Sequence, residues 1–215
     1  MNEESYQRYL NALISGDQQQ CQQVFEAWLE SCRDLRVLYD GLIQRSLYDV
    51  GTLWERNQVS VATEHMATAI SEGLMNLAYR RLLNRRHIDK SAVVACSANE
   101  YHQIGGKMVA DIFELNGWWG YFLGVNTSEK DLLKLIRHRR PDAVALSLAV
   151  YSNLDTLIDQ ADAIRGAFPD LPILAGGQAF LSGGRERVEQ IGGVHYLASL
   201  DELDRWIKSH PHHGN

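Results

Sequence analysis

The segment Glu100-Tyr101-His102-Gln103-Ile104-Gly105-Gly106 sets a carboxylate two residues before an imidazole and a glycine pair just behind it. An imidazole so placed can serve as base, metal ligand or hydrogen-bonding partner, and the preceding carboxylate can orient it by accepting one ring N–H. Gly105 and Gly106 let the backbone approach a bound group closely. Two later segments offer related chemistry. Leu146-Ser147-Leu148-Ala149 carries a hydroxyl, and Ala175-Gly176-Gly177-Gln178 is a stretch of backbone without side chains. Neither a GxxxxGK[ST] loop nor a GxGxxG turn follows the first apolar run, so this is not a phosphate-binding loop.

These residues need elements to hold them. From residue 91 onward, short apolar runs rich in β-branched or aromatic residues alternate with amphipathic stretches. Strands are expected at Ala92 to Cys96, Trp118 to Leu123, Ala143 to Ser147, Pro172 to Ala175 and Val194 to Tyr196. Helices are expected at Ile104 to Leu115, Glu129 to Arg139, Leu154 to Phe168, Glu186 to Ile191 and around Asp201 to Lys208. That alternation predicts a parallel sheet covered on both faces, five strands in a doubly wound, flavodoxin-like order. Ligands of such sheets bind beyond the carboxyl ends of the strands, where Glu100, His102, Ser147, Gly176 and Gly177 all fall.

Up to about residue 86 the apolar positions instead recur at helical spacing, as in Val24, Trp28 and Leu29, then Leu35, Leu38, Leu42 and Ile43. A bundle of four helices follows from this. Ser15-Gly16-Asp17 separates the first two, with Asp17 as N-cap, and the polar stretch Glu55 to Ser60 separates the last two. Arg80, Arg81, Arg85 and Arg86 are read as closing the last helix, where cations suit the negative end of its dipole. The α/β chain therefore divides into a helical bundle cap at 1–88 and an α/β domain at 89–215.

With 45% hydrophobic residues among 215, the chain can bury a substantial core without staples. A net charge of -6 disfavours nucleic-acid and anionic-membrane surfaces, which need clustered Lys and Arg. Cys21, Cys32 and Cys96 show neither metal spacing nor an even disulfide set and are read as reduced thiols. MNEESYQRYL is no signal peptide and no run is long enough to span a membrane, so a cytoplasmic location is expected. His210, His212 and His213 are read as a frayed tail. Trp118 and Trp119 are assigned to core and sheet packing, His138 and His195 to the surface, and Trp28 and Trp206 to amphipathic helix faces.

The set Glu100-x-His102-x-x-Gly105, Ser147 and Gly176-Gly177 resembles the DxHxxG, SxL, GG signature of cobalamin-binding domains, and the spacings between its parts agree. Glu100 replaces the usual Asp, and Ala149 stands where the pattern has Leu. The resemblance implies that His102 is the axial cobalt ligand, oriented by Glu100, and that the nucleotide tail of the cofactor inserts beside Gly105, Ser147, Gly176 and Gly177. Residues 49–69 resemble the helical cap that precedes many such domains, so the resemblance covers nearly the whole chain. In methyl-carrying relatives that cap presents a Phe and a Leu-Pro. In adenosylcobalamin photoreceptors of the light-dependent repressor type it presents Trp and Glu-His, as Trp54, Glu64 and His65 do here.

Adenosine is large, flat and polar at its edges, so an aromatic wall with carboxylate and imidazole partners suits it. The expectation is a stand-alone sensory protein in signal transduction, an adenosylcobalamin photoreceptor in which light breaks the cobalt–carbon bond and shifts the helical cap. Glu55 stands where the photoreceptors carry the histidine that later takes the upper cobalt position, which leaves water or His65 for that role. The alternative is a corrinoid carrier that binds methylcobalamin and moves methyl groups between methyltransferases. Either reading expects a protein partner or homo-oligomer and no direct contact with nucleic acid or membrane.

Overall fold

The computed structural model describes residues 3–32, 34–80 and 86–210. The chain forms two compact units, Met1–Asn84 and Arg85–Asn215.

In the first unit, α1 (Glu3–Ser15) and α2 (Gln18–Ser31) form a hairpin, followed by α3 (Leu35–Leu38), α4 (Arg45–Glu55) and α5 (Val61–Tyr79). Asp17 caps α2 by accepting from the Gln20 N–H, and Ser60 caps α5 by accepting from the Thr63 N–H. The third helix of the bundle is not a uniform α-helix, because residues Tyr39–Gln44 between α3 and α4 take a π-helical turn. Tyr6, Tyr9, Leu13, Phe25, Leu38, Tyr39, Leu42 and Ile43 fill the core of this unit. Each large apolar side chain so buried stabilises by roughly 1.5–3 kcal/mol. At the surface, Arg45 pairs with Glu3 and lies over the Tyr6 ring, whose hydroxyl donates to Asp49.

Of the arginine cluster, Arg80 closes the helix as expected. α5 ends at Tyr79 with no basic residue in its last turn; Arg80 is its C-cap, Arg86 lies beyond, and Arg81 and Arg85 fall outside the described residues.

The second unit is a five-stranded, all-parallel sheet in the order β2-β1-β3-β4-β5, with β1 (Ser91–Cys96), β2 (Trp119–Phe122), β3 (Ala143–Ser147), β4 (Ile173–Gly176) and β5 (Val194–Tyr196). This is the flavodoxin-like order. Period-two alternation sends Val93 and Ala95 into a core with Leu132 and Ile136 of α7 (Glu129–Arg139), Leu157, Ala161 and Ile164 of α8 (Leu154–Ala167), and Val188 of α9 (Arg185–Glu189). The opposite face is covered by α6 (Ile104–Leu115), against which α10 (Leu200–Ser209) packs. There α6 comes so close to β1 and β2 that a Cβ on Gly106 would stand 2.8 Å from the Phe122 ring and 3.2 Å from Cys96 Sγ.

The alternation also separates the two neighbouring tryptophans. Trp118 lies just before β2 and is buried, whereas Trp119 is exposed and stacks on His87 with ring centroids 3.8 Å apart. The expectation of core packing therefore fails for Trp119, because consecutive residues entering a strand cannot face the same side. His138 and His195 are exposed as expected, and Trp206 is half-buried on α10, stacked on His210. His212 and His213 lie outside the described residues. Among the described residues, no helix is long and apolar enough to cross a membrane.

Candidate functional site

Strand register sets the site. Cys96 is level with Ser147, and Ser147 with Gly176, so the loops after β1, β3 and β4 leave the sheet side by side at its carboxyl edge. The loop after β1 carries Glu100 and His102, and α6 begins two residues later at Ile104.

Glu100 is fully buried and holds this loop in place with both carboxylate oxygens. Oε1 accepts from the N–H groups of Tyr101 and His102, each at 2.9 Å, and lies 2.6 Å from His102 Nδ1. Oε2 reaches the loop after β3 and accepts from the N–H groups of Ala149 at 2.8 Å and Val150 at 2.9 Å. Burial alone would raise the Glu100 pKa. The hydrogen bond from the His102 ring and those from the backbone of His102, Val150 and Ala149 outweigh it and bring the carboxyl down to about 2.

A carboxylate so acidic has no proton to give, so Nδ1–H is the donor. In the neutral imidazole this leaves the lone pair on Nε2, the arrangement by which a carboxylate prepares an imidazole for a metal. The His102 side chain is 57% exposed, hence open to an incoming ligand. The departure from Asp to Glu acquires a reason here, since the longer side chain spans from its own loop to the next one. The departure at Ala149 is harmless because the backbone N–H, not the side chain, makes the contact.

The remaining sequence candidates of this unit lie along the same edge. Ser147 ends β3, and a Cβ on Gly105 would meet its Oγ at 3.2 Å. Gly176 ends β4 with no room for a side chain, since a Cβ would stand 2.7 Å from the Leu197 carbonyl oxygen. Gly177 has φ +122°, and a Cβ there would be 2.2 Å from the Leu148 carbonyl oxygen, so only glycine fits. Around this edge Tyr101, Val150, Tyr151 and Leu181 expose apolar surface. Cys96 beneath it is chemically quiet, because burial and the nearby Glu100 charge push its thiol up to about 12. All three cysteines are free.

In the helical unit, Trp54 lies in the last turn of α4, Glu64 in the first turn of α5 and His65 directly after it. Trp54 is 47% exposed, unusual for so large an aromatic. Glu64 accepts from Thr68 Oγ1 at 3.1 Å and stands 3.5 Å from His65 Nε2, so these two form a polar pair at the helix start.

The edge of β1, β3 and β4 thus brings together an exposed imidazole held by a buried carboxylate, apolar side chains about it, and glycines packed against neighbouring backbone. Residues 90–198 match the model of the B12 binding domain, and residues 5–79 match a second B12 binding domain model. The chain belongs to the B12-binding family. As a cobalamin-binding chain it is 28% identical over 198 residues to the HTH-type transcriptional repressor CarH of Myxococcus xanthus, covering 91% of this chain and 64% of the repressor. It is equally identical over 180 residues to the repressor CarA of that organism, covering 81% and 58%. The chain thus spans about three fifths of the length of these curated relatives.

Its fold matches the monomethylamine corrinoid protein of Methanosarcina barkeri with a TM-score of 0.83 at 13% identity, covering 98% of this chain and 100% of that one. A second structure, the methanol:cobalamin methyltransferase complex MtaBC from the same organism, matches at a TM-score of 0.52 and 14% identity, over 97% of this chain and 80% of the other. At such identities these likenesses speak to the fold alone.

Sequence reasoning missed the second anchor of the loop. Gln160 of α8 is buried and hydrogen-bonds the loops after β1 and β2. Its signal was present but weak: it falls in the apolar stripe Leu157, Ala161, Ile164, where a carboxamide is out of place. The N–H donors of Ala149 and Val150 carry no side-chain signature at all.

Proposed function

We propose that this chain is a cobalamin-dependent sensory protein whose cofactor is adenosylcobalamin and whose signal is light. The observation that carries the cofactor half is the Glu100–His102 pair, a buried carboxylate fixing the tautomer of an open imidazole. His102 would ligate cobalt through Nε2. Gly105, Ser147, Gly176 and Gly177 would admit the tail, and Glu100 would hold the imidazole oriented without taking its proton. Bound adenosylcobalamin supplies a visible chromophore with a light-labile cobalt–carbon bond.

The sensory half is supported by the similarity to the CarH and CarA repressors over most of this chain, and by three side chains of the helical unit. The exposed Trp54 ring would stack on the adenine, with Glu64 and His65 as hydrogen-bonding partners. In this reading their contacts differ between dark and lit states, which gives a two-state element biased by a ligand. Output would pass through a protein partner or a second copy of the chain.

The test is an absorption spectrum of the protein mixed with adenosylcobalamin in the dark, repeated after green light and followed by size-exclusion chromatography. Tight dark binding, a light-driven spectral change and a shifted elution volume are expected. Clear preference for methylcobalamin would instead establish the corrinoid-carrier reading. Absence of any cobalamin binding would overturn the role of His102.

A further inference from the structure

Gln160 lies on α8, outside the loops that carry the site, and is only 2% exposed. Its Oε1 accepts from Ser97 Oγ at 2.7 Å and from the Ala98 N–H at 3.0 Å, while its Nε2 donates to the Thr127 carbonyl at 2.8 Å. The polarity of this carboxamide is fixed by its backbone partners, because an N–H can only donate and a carbonyl can only accept. Ser97 is itself buried and is the first residue after β1. The chain it anchors runs through Ala98 and Asn99 directly into Glu100.

Thr127 belongs to the loop after β2. The preceding Asn126 donates its N–H to the Glu100 carbonyl at 2.9 Å, and its Oδ1 accepts from the Asn99 N–H at 3.0 Å. One carboxamide therefore ties the start of the His102 loop to a neighbouring loop, while the Glu100 carboxylate ties its middle to the loop after β3. No other side chain of this length does both tasks. A leucine would orphan the Ala98 N–H and the Thr127 carbonyl, and an ionised glutamate would set its charge against that carbonyl.

We infer that Gln160 is a positioning residue for His102, holding the Ser97–Ala98 segment so that Glu100 can orient the imidazole. The inference rests on His102 being the cobalt ligand, but its structural half is measurable without cofactor.

Amide hydrogen exchange on the cofactor-free protein compares wild type with Gln160→Leu at Tyr101, His102, Ala149 and Val150, all bonded to Glu100 and none to Gln160. At least a tenfold loss of protection is expected there, with Ile173 and Leu174 of β4 unchanged. Gln160→Glu keeps the acceptor for Ser97 and Ala98 but loses the donor to the Thr127 carbonyl, so it should recover only part of the protection. Faster exchange confined to Ala98, or equal acceleration at Ile173 and Leu174, would overturn the positioning role. Should Gln160→Leu fail to fold, Ser97→Ala removes one contact only and should lower protection about threefold at the same amides.

A second arm adds cob(II)alamin to protein labelled with 15N-histidine and reads the nitrogen splitting in its paramagnetic resonance spectrum. The histidine-coordinated fraction should fall severalfold in Gln160→Leu, and an unchanged fraction overturns the inference. Absence of the splitting in wild type would refute axial ligation by His102, while the exchange measurement still decides what Gln160 does.

Discussion

The two clusters of candidate residues are built on opposite plans. At the carboxyl edge of the sheet, the ligand-bearing loop is held by buried polar groups whose partners are almost all backbone N–H and C=O. At the ends of α4 and α5, His65 stands largely in solvent and Trp54 is about half exposed, and among the described residues Glu64 bonds within its own helix. A metal ligand must be set in one direction before its partner arrives, which calls for preorganisation. A contact that is made in one state and lost in another gains from freedom. In the proposed reading the sheet edge would serve permanent binding, and the helix ends a reversible contact.

Changes at the sheet edge should therefore be the most damaging. His102→Ala is expected to abolish the imidazole-coordinated spectrum of bound cobalamin and weaken binding by about 10–100-fold, measured by spectral titration. Its folding stability should fall by about 1.5 kcal/mol, since the change removes a hydrogen bond to the buried Glu100 carboxylate.

Glu100→Ala should strike the fold as well. It orphans N–H groups of His102, Ala149 and Val150 in a buried setting and should cost about 3 kcal/mol, read from the urea midpoint of the sheet unit. The pH dependence follows from the same group. Its folded-state pKa, about 2, lies below the unfolded value near 4.5, so the folded protein binds the proton less well than the unfolded chain. Stability from this carboxylate, about 3 kcal/mol, is fully present above pH 4.5 and disappears as pH falls toward 2. Glu100→Gln should flatten the acid limb of the stability curve between those values. An unchanged acid limb would show that the carboxylate is not held as the geometry describes.

The sheet edge was the more legible of the two regions, for reasons visible in individual residues. Apolar runs such as Ala92 to Cys96 and Ala143 to Ser147 are buried on both faces, which marks a parallel sheet, and their ends mark where loops begin. Asp17 was readable as a cap because capping is a local interaction. The π-helical turn at Tyr39–Gln44 was not, since its apolar residues follow the same spacing as an α-helix and the extra backbone residue leaves no compositional trace. Trp119 was misassigned because a pair of tryptophans looks doubly apolar although a strand edge can bury only one. Gln160 and the N–H groups after β3 depend on loops that meet in space from distant parts of the chain.

Trp54 gives the comparison its sharpest form, and the smallest effect on the fold. An aromatic side chain that is 47% exposed keeps only about half its packing, so Trp54→Ala should cost the fold about 1 kcal/mol. Stacking on a nucleobase contributes about 1–3 kcal/mol, so the same change should weaken adenosylcobalamin binding by about 10-fold or more. Methylcobalamin has no adenine and should bind Trp54→Ala almost as it binds wild type. The ratio of the two affinities thus isolates what the helix ends contribute, because the cobalt ligand and the tail site are common to both cofactors. Equal losses for both would mean that Trp54 supports the cofactor without reading the adenosyl group, and the division of labour between the two clusters would disappear.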